Sequence, residues 1–197
     1  MAVITAYIMN ILLNGIKKTD VYSLYSTPFV INNQASIVKS VDKAFIRFNK
    51  IFNNANSTGV YNRYNIFSIG AGDLYFYTIY QLIVAAARDR VGDDRPLWMQ
   101  CWLNYHKEDE VLDWHDHANE ILLHGYLSIE PKNTVTEFRE FAIENKVGNL
   151  YVGLSGLEHR VRVCEPYEGI RITIAFDIIE SQSQKNSAEY NLSFIPI

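Results

Sequence analysis

The sequence predicts a mainly β fold, a barrel or jelly roll with helices gathered ahead of it. Three observations lead there. After Pro96 short apolar runs follow one another with turn residues between them and no helical stretch intervening. Before Pro96 two long stretches carry apolar residues at helical spacing. Tyrosine and phenylalanine, 13 and 10 of them in 197 residues, favour strands.

The elements follow in order. Val21 to Ile31 reads as an extended entry segment containing Pro28. From Ser36 the spacing turns helical. Ile37, Val41, Phe45, Phe48 and Phe52 make a stripe that Val38, Ala44 and Ile51 widen. Asn53 to Asn65 is a loop rich in Asn, Ser and Gly, in a position to act as a lid. A second helix runs from Asp73 to Arg90, with Asp73 as N-cap and Gly92 beyond its end. It is apolar nearly all round, which predicts deep burial. Strands are expected at Leu97–His106, Val111–His117, Ile121–Ile129, Val135–Ala142, Asn149–Leu154, Leu157–Cys164 and Ile170–Ile179. The whole reads as one domain of 197 residues. Residues 1–95 form a helical flank, 96–180 a β core, and 181–197 a tail that packs as a last strand or stays loose.

Composition narrows the partners. A net charge of −4 with no lysine or arginine cluster argues against a nucleic-acid partner. Two cysteines, Cys101 and Cys164, are too few for a disulfide scaffold and point to a reducing, cytoplasmic setting. The apolar start, Ala2 to Leu13, contains Asn10 and is too short to span a bilayer. With no basic residue ahead of it, it does not read as a signal peptide either.

The chemistry is concentrated in the second half. None of the five histidines precedes His106. His115 and His117 stand at i and i+2, so on a strand they point the same way while Asp116 points away. In Leu157 to Val163 the odd positions are Leu157, His159, Val161 and Val163, and the even ones are charged, so His159 turns inward. Three imidazoles from two segments suit a metal with open positions; the plain alternative is a set of structural histidines. Arg171 opens the alternating stretch that runs to Phe176, sharing a face with Thr173 and Ala175. A hairpin turning near Tyr167 would set Val163 against Arg171 and His159 against Ala175. Histidine and arginine would then share a face, about 13 Å apart, a span for a short dicarboxylate with one end on a metal and the other in the guanidinium fork.

An ordered series of motifs then carries a family resemblance: Trp102-Leu103-Asn104-Tyr105, Trp114-His115-Asp116-His117-Ala118-Asn119, Gly125-Tyr126-Leu127, Leu157-Glu158-His159-Arg160-Val161, and Arg171-Ile172-Thr173-Ile174-Ala175-Phe176. Over residues 97 to 178 the chain resembles the iron(II)/2-oxoglutarate-dependent oxygenases, above all bacterial and phage members with an H-x-H…H pattern. The resemblance implies a double-stranded β-helix (jelly-roll, cupin-like) buttressed by the N-terminal helices. It implies Fe(II), 2-oxoglutarate and O2, with hydroxylation of a small molecule or peptide side chain and release of succinate and CO2. It makes His115, His117 and His159 the metal ligands and Arg171 the binder of the distal carboxylate. Tyr105, ten residues before His115, is a candidate for bonding the co-substrate, and Thr173 a weaker one. One departure stands out. The usual set is two histidines and one carboxylate, whereas the second position here is His117, with Asp116 as the alternative ligand.

Two other readings remain open. His115, His117, Glu120 and His159 also resemble the metal set of cupin enzymes that do not use 2-oxoglutarate. A non-catalytic metal-binding or interaction module is the third, with tyrosines such as Tyr61, Tyr75 and Tyr77 at an interface. His106 and His124 read as structural or supporting histidines.

Overall fold

A computed structural model describes residues 13–117, 120–180 and 193–197. The chain begins with a hairpin, β1 (Asn14–Lys18) and β2 (Tyr22–Ser26), followed by helix α1 (Pro28–Phe52). A short helix α2 (Ile66–Ile69) and helix α3 (Leu74–Val91) complete the helical part. Then come β3 (Trp98–His106), β4 (Leu123–Glu130), β5 (Thr134–Phe138), β6 (Ala142–Glu144), β7 (Asn149–Leu154), β8 (His159–Val163), β9 (Arg171–Ile179) and β10 (Ile195–Pro196). Among the described residues no helix is long and apolar enough to cross a membrane.

Helix α1 starts eight residues before the sequence reading placed it. Pro28 sits in its first turn, where its fixed φ suits a helix and its missing N–H costs nothing. Thr27 ahead of it is extended, so the proline marks a helix start and not a continued strand. Helix α3 ends as expected. The Asp73 carboxylate accepts from the Tyr75 and Phe76 amides, and Gly92 closes the helix at φ +83°. It is less buried than its composition suggested: Leu74 is 73% and Tyr77 63% exposed in its first turn. Ile51, near the end of α1, is likewise exposed.

The strands form two antiparallel sheets. The larger runs β1-β2-β7-β4-β9-β3-β10 and the smaller β6-β5-β8. The first hairpin thus joins the larger sheet through β2 and β7, and the N-terminal flank is not wholly helical. Helices α1 and α3 pack on one face of the larger sheet, against β4 and β7. That face carries Met99, Cys101, Leu103, Ile172, Ile174, Phe176 and Ile178, all buried and apolar. Phe176 needs Gly125 beneath it, since a Cβ there would lie 2.1 Å from its ring. The other face meets the smaller sheet. Phe138 of β5 packs its ring 5.1 Å from Tyr151 of β7, and His159 of β8 lies 4.9 Å from His124 of β4, centroid to centroid.

Two expectations are corrected here. The segment from Val111 to His117 is not a strand; among the described residues it meets β8 through a bridge between His115 and His159 and through the Val161 amide, which donates to the Leu112 carbonyl at 2.9 Å. And β8 and β9 do not form a hairpin. β8 pairs with β5, while β9 pairs with β3 and β4, so the chain crosses between sheets around Tyr167. β9 pairs along all nine of its residues with β3, and β8 along all five of its residues with β5. Of the tail, β10 pairs with the start of β3; its first part, like all but the last residue of the apolar start from Ala2 to Leu13, lies outside the described residues.

Candidate metal centre

The larger sheet's inner face is built by register. β3 lies beside β9 with Gln100 opposite Asp177, Trp102 opposite Ala175, Asn104 opposite Thr173 and His106 opposite Arg171. On the far side of β9, His124 stands opposite Asp177, Tyr126 opposite Ala175 and Ser128 opposite Thr173. Residues directly opposite in a ladder share a face. So one wall carries, in rows, the groups most able to bind a ligand.

At one end of this wall, His115, His117 and His159 converge. One nitrogen of each lies within 4.8 Å of the others. The centroids of His115 and His159 are 4.3 Å apart, and the rings of His117 and His159 are near parallel at 5.5 Å. The backbone bridge sets this up: the His115 amide donates to the His159 carbonyl at 2.9 Å and the His159 amide returns the bond at 2.8 Å. Asp116 is exposed and belongs to neither cluster of metal-binding groups among the described residues, and the same holds for Glu120. Of the two candidates for the second ligand, His117 is therefore the one that faces its partners.

Hydrogen bonding decides which nitrogen each ring presents. His115 Nδ1 lies 2.7 Å from the Asp113 carbonyl and His159 Nδ1 lies 2.8 Å from the Leu157 carbonyl. His117 Nδ1 lies 3.2 Å from Asp177 Oδ2. A carbonyl or an ionised carboxylate only accepts, so each ring carries a proton on Nδ1 and, in its neutral form, presents a bare Nε2. His117 Nε2 is buried and has no hydrogen-bond partner. Three bare nitrogen lone pairs turned toward one another repel unless something electrophilic joins them. The donor set fits a divalent metal with imidazole ligands and open positions. Electrostatics agree. Burial, then the neighbouring imidazoles, pushes His159 down to about 2, and burial also lowers His115. Both rings stay neutral, as ligands must.

Two groups beside this triad were not singled out from the sequence as central. His124 stacks on His117 with centroids 3.7 Å apart, and its Nδ1 lies 3.0 Å from Asp177 Oδ1. Burial, then His117, pushes it down to about 4. Asp177 is 2% exposed. Burial works to raise its carboxyl, but His117 and His124 prevail and hold it at about 2. A signal for Asp177 existed: it continues the inward alternation of Arg171, Thr173 and Ala175.

The other end of the wall is cationic. Arg171 is 2% exposed, its Nε reaches only Thr134 Oγ1 at 3.4 Å, and its Nη1 has no partner. Burial lowers its guanidinium to about 10; its polar neighbours are Tyr126 and Tyr167. The buried hydroxyls of Tyr167 and Ser128 and the Trp102 Nε1 have no hydrogen bond, and Tyr126, near Thr136, makes none of good geometry. A buried cation facing unpaired donors, with no anion, is costly; an anionic ligand resolves it. The span is preserved by a different strand from the one expected. On β5, Thr134 touches Arg171 and Phe138 lies opposite His159, four residues and about 13 Å apart on one face.

Thr173 lies on this wall, its hydroxyl accepting from Asn104 Nδ2 at 3.1 Å. Asn104 Oδ1 accepts from Thr58, whose hydroxyl in turn lies 2.7 Å from His106 Nε2. Thr58 belongs to the Asn-rich loop, which is fastened to β3 here and through Ser57 Oγ to the Leu103 carbonyl at 2.7 Å. The loop acts as a side wall more than as a loose lid. Tyr105 is corrected. It lies on the opposite face of β3, stacked on Phe45 of α1 at 4.0 Å and donating to Asp42 at 3.0 Å. One residue of alternation removes it from the inner wall that carries Arg171 and Thr173.

Comparison with known proteins adds the following. No family model and no curated protein matches the sequence. Solved structures do. HygX from Streptomyces hygroscopicus, with nickel and 2-oxoglutarate bound, is 12% identical with a TM-score of 0.55 over 90% of this chain and 87% of that one. Its apo form is 11% identical, with a TM-score of 0.54 over 94% and 92%. A nickel complex of the non-heme monooxygenase ThoJ is 12% identical, with a TM-score of 0.52 over 75% and 69%. At these identities the likeness establishes the fold. The chain has the fold of these metal-binding proteins, in keeping with the resemblance read from its motifs.

Proposed function

We propose that the protein is an iron(II)- and 2-oxoglutarate-dependent dioxygenase that hydroxylates a small molecule or peptide side chain, releasing succinate and CO2. The two facing sheets are then a double-stranded β-helix, and helices α1 and α3 its buttress. The observation that carries the reading is the pairing of three converging imidazoles, the His117 Nε2 among them buried and without a partner, with a buried guanidinium about 13 Å away whose Nη1 has no partner. Fold likeness to a protein solved with nickel and 2-oxoglutarate supports it.

His115, His117 and His159 hold the metal through Nε2. Arg171 grips the distal carboxylate of the co-substrate as a planar fork. Tyr126 and Ser128 face the same space and Thr173 lines it, its hydroxyl fixed by Asn104. Trp102, His106 and the Thr58 loop close one side and exclude water. Bound together, the metal and co-substrate supply O2 activation coupled to decarboxylation. Free Cys101 and Cys164 support a reducing, cytoplasmic setting. The test is turnover: incubation with iron(II), ascorbate and 2-oxoglutarate across a substrate panel, with succinate as readout. The proposal expects succinate from wild type and none from His159→Ala. Equal, background succinate from both overturns it.

A further inference from the structure

Three neutral imidazoles leave the whole charge of a divalent ion uncompensated by its ligands. The nearest carboxylate is Asp177, buried on β9. Each of its oxygens is in use. Oδ1 accepts from His124 Nδ1 at 3.0 Å, and His117 Nδ1 straddles the carboxylate, 3.2 Å from Oδ2 and 3.1 Å from Oδ1. Among the described residues its ion-pair partners are these two imidazoles. Gln100, directly opposite on β3, spends its amide on the Tyr61 carbonyl. So no lysine or arginine balances this carboxylate, and leaving it buried without a cation is unfavourable.

His117, His124 and Asp177 lie close enough together to be counted as a second metal-binding cluster. The hydrogen bonds argue otherwise. Both imidazoles turn a proton, not a lone pair, toward the carboxylate. Asp177 therefore reads as support for a ligand and not as a ligand. Carboxylate–histidine–metal arrangements of this kind fix the tautomer and ring angle and make the ring a stronger base.

We propose that Asp177 is the positioning carboxylate of the metal centre: it locks His117 with Nε2 toward the ion and supplies, through that ring, the negative charge that a carboxylate ligand would otherwise bring. This rests on the metal reading of the three histidines. His124, held on the second oxygen and stacked against His117, keeps the carboxylate in place.

The test measures cobalt(II) affinity by titration calorimetry on wild type, Asp177→Asn and Asp177→Glu. Removing such a partner costs about 10- to 100-fold in metal affinity, and that loss is expected for Asn, with Glu in between because it keeps the charge. An Asn variant that folds and binds cobalt(II) within about twofold of wild type overturns the proposal while leaving the metal reading intact. Wild-type protein that takes up no cobalt(II) overturns both. A second measurement needs no variant. Nitrogen-15 NMR of the metal-free wild type should show His117 protonated on Nδ1; protonation on Nε2 overturns the proposal.

Discussion

The two faces of the larger sheet are made by alternate residues of the same strands, yet they obey different rules. On the helix side, Cys101, Leu103, Ile174 and Phe176 bury apolar surface and satisfy one another. On the inner side, Trp102, His106, Tyr126, Ser128 and Arg171 are just as buried but leave polar atoms without partners. A core does not tolerate so many unpaired groups in one place. Under the proposed function the helix side accounts for stability and the inner side for binding, and burial alone does not tell them apart; unmet hydrogen bonding does.

Substitutions can break this contrast at several points. The largest effect is expected at His159. His159→Gln should reduce succinate formation to background while circular dichroism and melting temperature stay near wild type, because the ring anchors no helix-side packing. Phe176→Ala should do the reverse. Losing that ring next to Gly125 should cost about 3–5 kcal/mol in urea unfolding, with cobalt(II) affinity kept in the molecules that remain folded. Arg171→Met should raise KM for 2-oxoglutarate about 30-fold or more. The same change should leave the metal-free protein as stable as wild type or more so, since it removes a buried, unbalanced cation.

Acid sharpens the contrast further. Burial, then the nearby Arg171 charge, pushes His106 from 6.5 down to about 4. The unfolded chain takes up a proton near pH 6.5 that the folded ring refuses until about pH 4. Its stability contribution is therefore complete above pH 6.5 and lost as pH falls toward 4. Replacing His106 with Gln should flatten the denaturation-versus-pH slope in that window by about 1.4 kcal/mol per pH unit. The smallest effect belongs to Tyr105. Tyr105→Phe removes one hydrogen bond to Asp42, worth about 1 kcal/mol, and should leave KM for 2-oxoglutarate unchanged.

Much of this was legible in the sequence, because alternation and spacing are local. His115, His117, His159 and Arg171 announce themselves by residue type, and His159 and Arg171 by strand alternation as well. The strand Asn149–Leu154 and the caps of α3 are read from the chain with their bounds. What was not legible depends on partners distant in sequence. Which strand β8 pairs with is decided by β5, and nothing within His159–Val163 states it. Tyr105 and Asn104 are adjacent, and only the sheet's orientation against α1 decides which lies on the inner face with Thr173. Asp177 is an ordinary acidic residue until His117 and His124 are brought onto its two oxygens from 60 and 53 residues away.

The most direct measurement is calorimetric titration of 2-oxoglutarate into the protein with and without one equivalent of cobalt(II), repeated on Arg171→Met. The account predicts saturable one-to-one binding that requires the metal and is weakened by the arginine change. Cobalt-loaded wild type that gives no binding heat, or binds 2-oxoglutarate equally well without Arg171, would contradict it.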